Sequence, residues 1–152
     1  MDPQMHNRFL HVISDTLEQF AFMFVDEEPD KVFHPERMLS ATIRFEGGGG
    51  KGLVMLATSE ALCGQLAENA LGIEGESLPE GATANALEEL ANIACGELAA
   101  RTFGADEDCR LGIPESKRMR KKDWKAMSRS SRTIALEVEG EPFLAQLKLP
   151  GT

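Results

Sequence analysis

LSATIRFEGGGGKGLVMLAT, residues 39–58, decides how the rest of the chain is read. Residues 39–46 alternate apolar and polar side chains, the period of a strand with one face buried. Behind four glycines, residues 52–58 read as a second and more buried strand. Glycine adopts positive φ without steric cost, so residues 47–50 are expected to form a loose hairpin connection. A phosphate-cradling loop would need a helix, and usually a Lys-Thr pair, directly after the glycines. Lys51 is instead followed by Gly52 and a strand, which speaks against such a cradle.

Working outward, Phe9, Ile13, Leu17, Phe20 and Phe24 recur at steps of three and four, with Leu10 and Ala21 beside them. That spacing predicts a helix over residues 5–25, followed by an acidic, proline-containing turn. On the other side, Ser59 stands where an N-cap belongs, predicting a helix that runs to Leu71 and stops at Gly72. A surface loop over residues 73–81 leads to a longer helix over residues 83–103, with Gly104 placed to close it. The apolar segment CRLGIP (residues 109–114), a polar loop, and strands over residues 133–140 and 142–149, hinged at Gly140 and Glu141, complete the chain. The expected fold is a single α+β domain over residues 1–152, two layers deep, with a largely antiparallel sheet packed against about three helices. No internal repeat stands out.

Composition narrows the function. With 42% hydrophobic and 27% charged residues the chain is an ordinary globular one, and a net charge of -9 opposes binding to nucleic acid or an anionic membrane. Aromatics are 6% and tyrosine is absent, leaving little to build a base-stacking surface. Cys63, Cys95 and Cys109 are an odd set without metal-type spacing, read as reduced thiols in a cytoplasm. The opening MDPQMHNRF lacks a signal-peptide pattern, and no stretch approaches the length of a membrane span. His6 and His11, five apart, do not share a helical face and make no metal pair.

Charge is unevenly spread. KRMRKKDWKAMSRSSR, residues 117–132, holds eight of the 16 basic residues against one acid, Asp123, a local balance of +7. Eight basic and 24 acidic residues make up the remainder, at -16. Such a stretch reads as a docking loop for an acidic partner or as a solvated loop that offsets the acidic body, with nucleic-acid binding a weaker third reading because Trp124 is its only aromatic and the rest of the surface repels phosphate.

The long third helix is the most informative. Leu87, Leu90, Ala91, Ala94 and Leu98 fall within about 100° on a helical wheel and define a buried stripe. Glu89, Asn92 and Gly96 fall within roughly 60° of one another on the opposite side, with Asn85 one turn before Glu89. A carboxylate and an amide are thus presented one turn apart, and Gly96 lets another group approach closely just beyond them. Taken alone, an exposed Glu and Asn at this spacing are also what any amphipathic helix shows.

The string ELANIACG, residues 89–96, resembles the E-x-x-N-x-x-x-G signature of the CheX and CheC chemotaxis phosphatases, which hydrolyse the aspartyl phosphate of the response regulator CheY. The apolar helix and strand pair before it, and Gly112, Ile113 and Pro114 after it, are similar to the order in that family. The resemblance implies that Asn92 orients the attacking water and that Glu89 pairs with a lysine of the regulator. It also implies a docking line through Asn85 and Gly96, no cofactor of the chain's own, and Mg²⁺ in the partner regulator. CheC-like relatives carry a second E-x-x-N on the first helix. Here the comparable place reads Glu18 to Ala21, so a single-site, CheX-like arrangement is expected. A homodimer paired through the sheets is implied as well, and Lys121 and Lys122 are expected to extend the docking surface toward an acidic regulator. The alternative is a non-catalytic adaptor of the same fold that docks on a regulator without positioning water.

Overall fold

The alternation of residues 39–46 becomes the central hairpin. In the computed structural model, which describes residues 1–26, 34–47, 49–103 and 109–149, β2 (Met38–Gly47) and β3 (Gly50–Ser59) pair antiparallel from Met38↔Ser59 to Gly47↔Gly50. The connection is tight rather than loose, because Gly47 pairs directly with Gly50, and Gly49 takes a φ of 85°. Gly52 has a different reason to lack a side chain. A Cβ there would collide with the Phe45 ring and the Lys148 carbonyl.

Around the hairpin run α1 (Pro3–Ala21), β1 (Val25–Asp26), α2 (Glu60–Leu71), α3 (Ala82–Phe103), β4 (Arg110–Leu111), β5 (Glu115–Met119), α4 (Lys121–Arg129), β6 (Thr133–Val138) and β7 (Glu141–Lys148). The sheet order is β1-β6-β7-β3-β2, with β4 and β5 both paired to the far side of β2, and every pairing is antiparallel. Helices α1, α2 and α3 cover one face over Leu39, Ala41, Ile43, Val54, Leu56, Phe143 and Ala145. A fourth helix, α4, covers part of the opposite face, where Trp124 and Met127 join Met38, Ala57, Met119 and Leu144 in a second, smaller cluster.

That fourth helix and the strand before it replace the expected polar loop. The basic composition of residues 117–132 conceals an apolar face made by Met119, Trp124 and Met127, all buried, while the lysines and arginines between them point to water. The first helix also differs at its ends. Asp2 caps it, accepting from Gln4 N–H at 2.8 Å, with Pro3 in the first turn. It stops at Ala21 because Phe22 turns left-handed at φ 58° and returns its N–H to Glu18. Phe24, expected on the core face, is therefore 72% exposed, and Met23 is buried in its stead. The last turn is centred on Glu139 and Gly140, both at positive φ, one residue earlier than expected. The caps of α2 are as expected, with Ser59 Oγ accepting from Leu62 N–H at 3.0 Å and Gly72 left-handed at φ 69°. The close of α3 at residue 104 lies outside the described residues, as does most of the acidic turn.

A two-fold repeat, silent in the sequence, organises the sheet. Hairpins β2–β3 and β6–β7 meet at β3–β7. The segment after α1 crosses to flank β6, and the segment after α3 crosses to flank β2. The helices share a burial register: Phe9, Val12, Ile13, Thr16, Leu17 and Ala21 of α1 match Leu87, Leu90, Ala91, Ala94, Cys95 and Ala99 of α3 at an offset of 78. His11 and Ser14 then stand where Glu89 and Asn92 stand, whereas Ala21, the position compared above with a second asparagine, is fully buried.

Two measurements check this packing. Trp124→Ala should lower unfolding stability by about 3–5 kcal/mol in urea titrations, because it empties the second cluster, while Lys122→Ala on the outward face of α4 should stay within about 0.5 kcal/mol. Burial pushes the Cys63 and Cys95 thiols up from 9.0 to about 12. The unfolded thiols ionise first, so stability should be full below about pH 9 and fall as pH climbs toward 12. Urea midpoints on either side of pH 9 would show it, with a flatter dependence in the Cys63→Ala, Cys95→Ala double variant.

Candidate functional site

Helix α3 is committed to the core along most of its circumference. Ala82, Ala86, Leu87, Leu90, Ala91, Ala94, Cys95, Leu98 and Ala99 are all buried, which includes the whole predicted stripe. Along one outward line Asn85 and Glu89 are exposed and Asn92 and Gly96 half-buried, while Glu97, Ala100 and Arg101 are exposed nearer the C-terminal end. The Asn85 N–H closes the first turn on the Gly81 carbonyl at 2.9 Å, so its side chain is not needed for the backbone.

The polar side chains of this helix divide into two sets. Glu88 accepts a hydrogen bond from Ser116 Oγ, which ties β5 to the helix. Glu97 lies 3.9 Å from Arg101, and Arg101 reaches Asp15 of α1 at 3.2 Å, tying the two helices together. The side chains of Asn85, Glu89 and Asn92 make no hydrogen bond or ion pair with any described residue. The carboxylate and the amide that share one face a turn apart are the ones the fold does not use.

The edge of the sheet frames them. β5 pairs with β2 from Met38↔Met119 to Thr42↔Glu115, and β4 pairs from Phe45↔Leu111 to Glu46↔Arg110. Between these registers Ile43 and Arg44 oppose Gly112, Ile113 and Pro114, two residues against three, which is a β-bulge. Gly112 N–H donates to the Arg44 carbonyl at 2.7 Å, and Pro114 has no N–H to leave unpaired. Ile113 is thrown outward and is 88% exposed. Leu111, at one end of the bulge, lies beside Gly96, where a Cβ would stand 3.7 Å from Leu111 Cδ1. Ser116, at the other end, holds Glu88. The bulge therefore runs along the turns of α3 that carry Glu89 and Asn92.

Asn85, Glu89, Asn92 and Gly96 thus share one face. At Gly96 an added Cβ would stand at ordinary van der Waals distance from Leu111, so among the described residues none makes the close approach that would require a glycine there. Lys121 and Lys122 are exposed at the start of α4, on the opposite face of the sheet, and are not brought to this face. In the sequence Ile113 stands out only as part of a short apolar segment and of the Gly112–Ile113–Pro114 run that resembles the family's order, neither of which assigns it a role. Its exposure follows from the bulge, and the bulge follows from pairing with a strand some 70 residues earlier.

Among the described residues no helix is long and apolar enough to cross a membrane. No curated relative matches the chain by sequence. In fold the chain is similar to the chemotaxis protein CheX from Desulfovibrio desulfuricans, with a TM-score of 0.70 and 12% identity over 96% of this chain and 99% of that one. It is similar also to CheX from Vibrio vulnificus, at a TM-score of 0.67 and 16% identity over 94% of each chain. The CheX–CheY–BeF3–Mg²⁺ complex from Borrelia burgdorferi matches at a TM-score of 0.61 and 13% identity, over 93% of this chain and 95% of that one. Residues 39–135, well over half of the sequence and including all of α3 and the bulge, match the family model for the chemotaxis phosphatase CheX, and the chain belongs to that family.

Proposed function

We propose that this chain accelerates hydrolysis of the aspartyl phosphate on a CheY-type response regulator by laying the outer face of α3 into the regulator's phosphorylation site. The observation that carries this reading is the pair Glu89, exposed, and Asn92, half-buried, one turn apart and engaged by no described residue on a helix whose acids Glu88 and Glu97 are tied down. Family membership and the CheX–CheY complex of Borrelia burgdorferi support the choice of partner.

The chemistry asks little of the phosphatase. An acyl phosphate is already reactive, and the regulator supplies Mg²⁺ and a lysine that neutralise phosphoryl oxygens. Water attacks phosphorus, the aspartate carboxylate leaves, and inorganic phosphate departs. What accelerates the step is placing that water in line. The Asn92 amide suits the task because it donates and accepts hydrogen bonds without carrying negative charge to the phosphoryl group. Glu89, one turn earlier, pairs with the regulator's lysine and fixes the register of the helix. No cofactor of the chain's own enters the step.

The expected partner shares the cytoplasm with this chain. A homodimer fits the same reading: β1 covers β6 only at Val138 and Glu137, so residues 133–136 present an outer edge with no described strand beside it. Sedimentation equilibrium should then give twice the chain mass of 16.6 kDa.

Purified protein is incubated with phosphorylated regulators in Mg²⁺ and loss of the phosphoryl label is followed. Asn92→Ala should cut the acceleration by about a hundredfold or more, while still binding a beryllofluoride-loaded regulator. Glu89→Ala should lower kcat/KM on the order of tenfold or more through weaker docking. Charge reversal at Lys121 and Lys122 should alter only the salt-dependent encounter rate, since α4 lies on the other face of the sheet. Binding without any acceleration by the unsubstituted protein would favour the adaptor reading.

A further inference from the structure

We propose that Ile113 is the apolar contact that seats the regulator on α3, so that it sets how tightly the partner docks and not how fast the phosphate is released. The inference rests on the phosphatase reading above and adds a residue to it. A single exposed isoleucine needs no explanation on an ordinary surface. This one differs in how it is held. It is the most exposed large apolar side chain among the described residues, yet it sits on backbone fixed from both sides. The Gly112 N–H is bonded to Arg44, and Pro114 restricts the following φ. Leu111 is packed beside Gly96 and Ser116 is bonded to Glu88. A side chain presented on rigid backbone loses little freedom when a partner covers it, which is the condition under which apolar burial appears as affinity.

Position supplies the second part. The bulge flanks the turns of α3 that carry Glu89 and Asn92, between the anchors at Glu88 and Gly96. On the other flank of α3 the surface toward α1 is mixed, with Asp15, Glu97 and Arg101 engaged with one another beside the half-buried Phe20 and Ile93. On the sheet-edge side a partner that reaches Asn92 meets Leu111, 38% exposed, and Ile113, which among the described residues of that edge is the large apolar side chain standing furthest into solvent. The occupant is the receiver domain of the phosphorylated regulator, and the surface beside its phosphorylated aspartate is expected to be apolar where Ile113 lands.

Isothermal titration of the protein with CheY-type regulators of its own organism, loaded with beryllofluoride and Mg²⁺, tests this directly. Ile113→Ser should weaken binding about tenfold or more, Ile113→Leu should bind within about threefold of the unsubstituted protein, and Asn92→Ala should bind normally. In turnover assays Ile113→Ser should raise KM by the same factor and leave kcat within about twofold. Its thermal midpoint should not move, because the side chain makes no contribution to the core; a lowered midpoint with normal binding would assign Ile113 a structural role and overturn the inference. Unchanged binding and KM in Ile113→Ser, with Asn92→Ala inactive, would overturn the inference and leave the phosphatase reading standing. Failure of the unsubstituted protein to bind any loaded regulator would overturn both.

Discussion

The pairing of β3 with β7 is the contact on which the molecule turns. It joins two hairpins that are each local in sequence, in a register running from Leu53↔Lys148 to Thr58↔Phe143. Thr58 Oγ1 reinforces it by donating to the Pro142 carbonyl at 2.8 Å in a buried setting. Only when this seam closes do Val54, Leu56, Phe143, Ala145 and Leu147 form one apolar floor, and α1, α2 and α3 need that floor to bury their stripes. A one-residue slip would carry every one of these side chains to the opposite face. The site depends on the same seam at one remove, since α3 rests on the floor and the bulged edge is paired to β2.

The repeat about that seam gives the fold two equivalent outward helix lines, and in this chain the one on α3 carries an acid and an amide. Helices α1 and α3 sit in the same burial register, so the fold gives each an outward line of side chains. On α3 that line holds a carboxylate and an amide that no described residue engages. On α1 the matching positions are His11 and Ser14, which cannot provide an acid and an amide together. Core packing constrains the inward stripe in both halves, and the outward line is free to differ. The halves have accordingly kept their architecture without a sequence repeat strong enough to see.

What could be read from the sequence was local. The β2–β3 hairpin follows from alternation and glycines, the ends of α2 from Ser59 and Gly72, and the α3 stripe from helical spacing. Glu89 and Asn92 were visible for the same reason, because a wheel sorts one helix into faces without knowledge of the rest. The misreadings arose where distant pairing or a sparse apolar pattern decides. Residues 115–129 look like a solvated basic loop until Met119, Trp124 and Met127 find Met38, Ala57 and Leu144. Phe24 looks like core until Phe22 ends the helix two residues earlier. The bulge is invisible in CRLGIP, since it exists only as a mismatch of register between β2 and two short edge segments.

The division of charge between the two sheet faces bears on the choice of an amide at position 92. Helices α1, α2 and α3 together carry seven acids and two arginines, whereas α4 carries four basic residues and one acid. The face that holds the site is therefore electronegative, and Glu88, Glu89 and Glu97 lie on the site's own helix. Such a field favours a partner's lysine and metal ion but repels its phosphoryl group. A carboxylate at the point of closest approach would add to that repulsion, while a neutral amide holds water there without increasing it. The acid at position 89 is tolerable only one turn away, opposite a cation. In the proposed reaction the two side chains are thus not interchangeable: the field of the helix layer suits a charge at position 89 and a neutral amide at position 92.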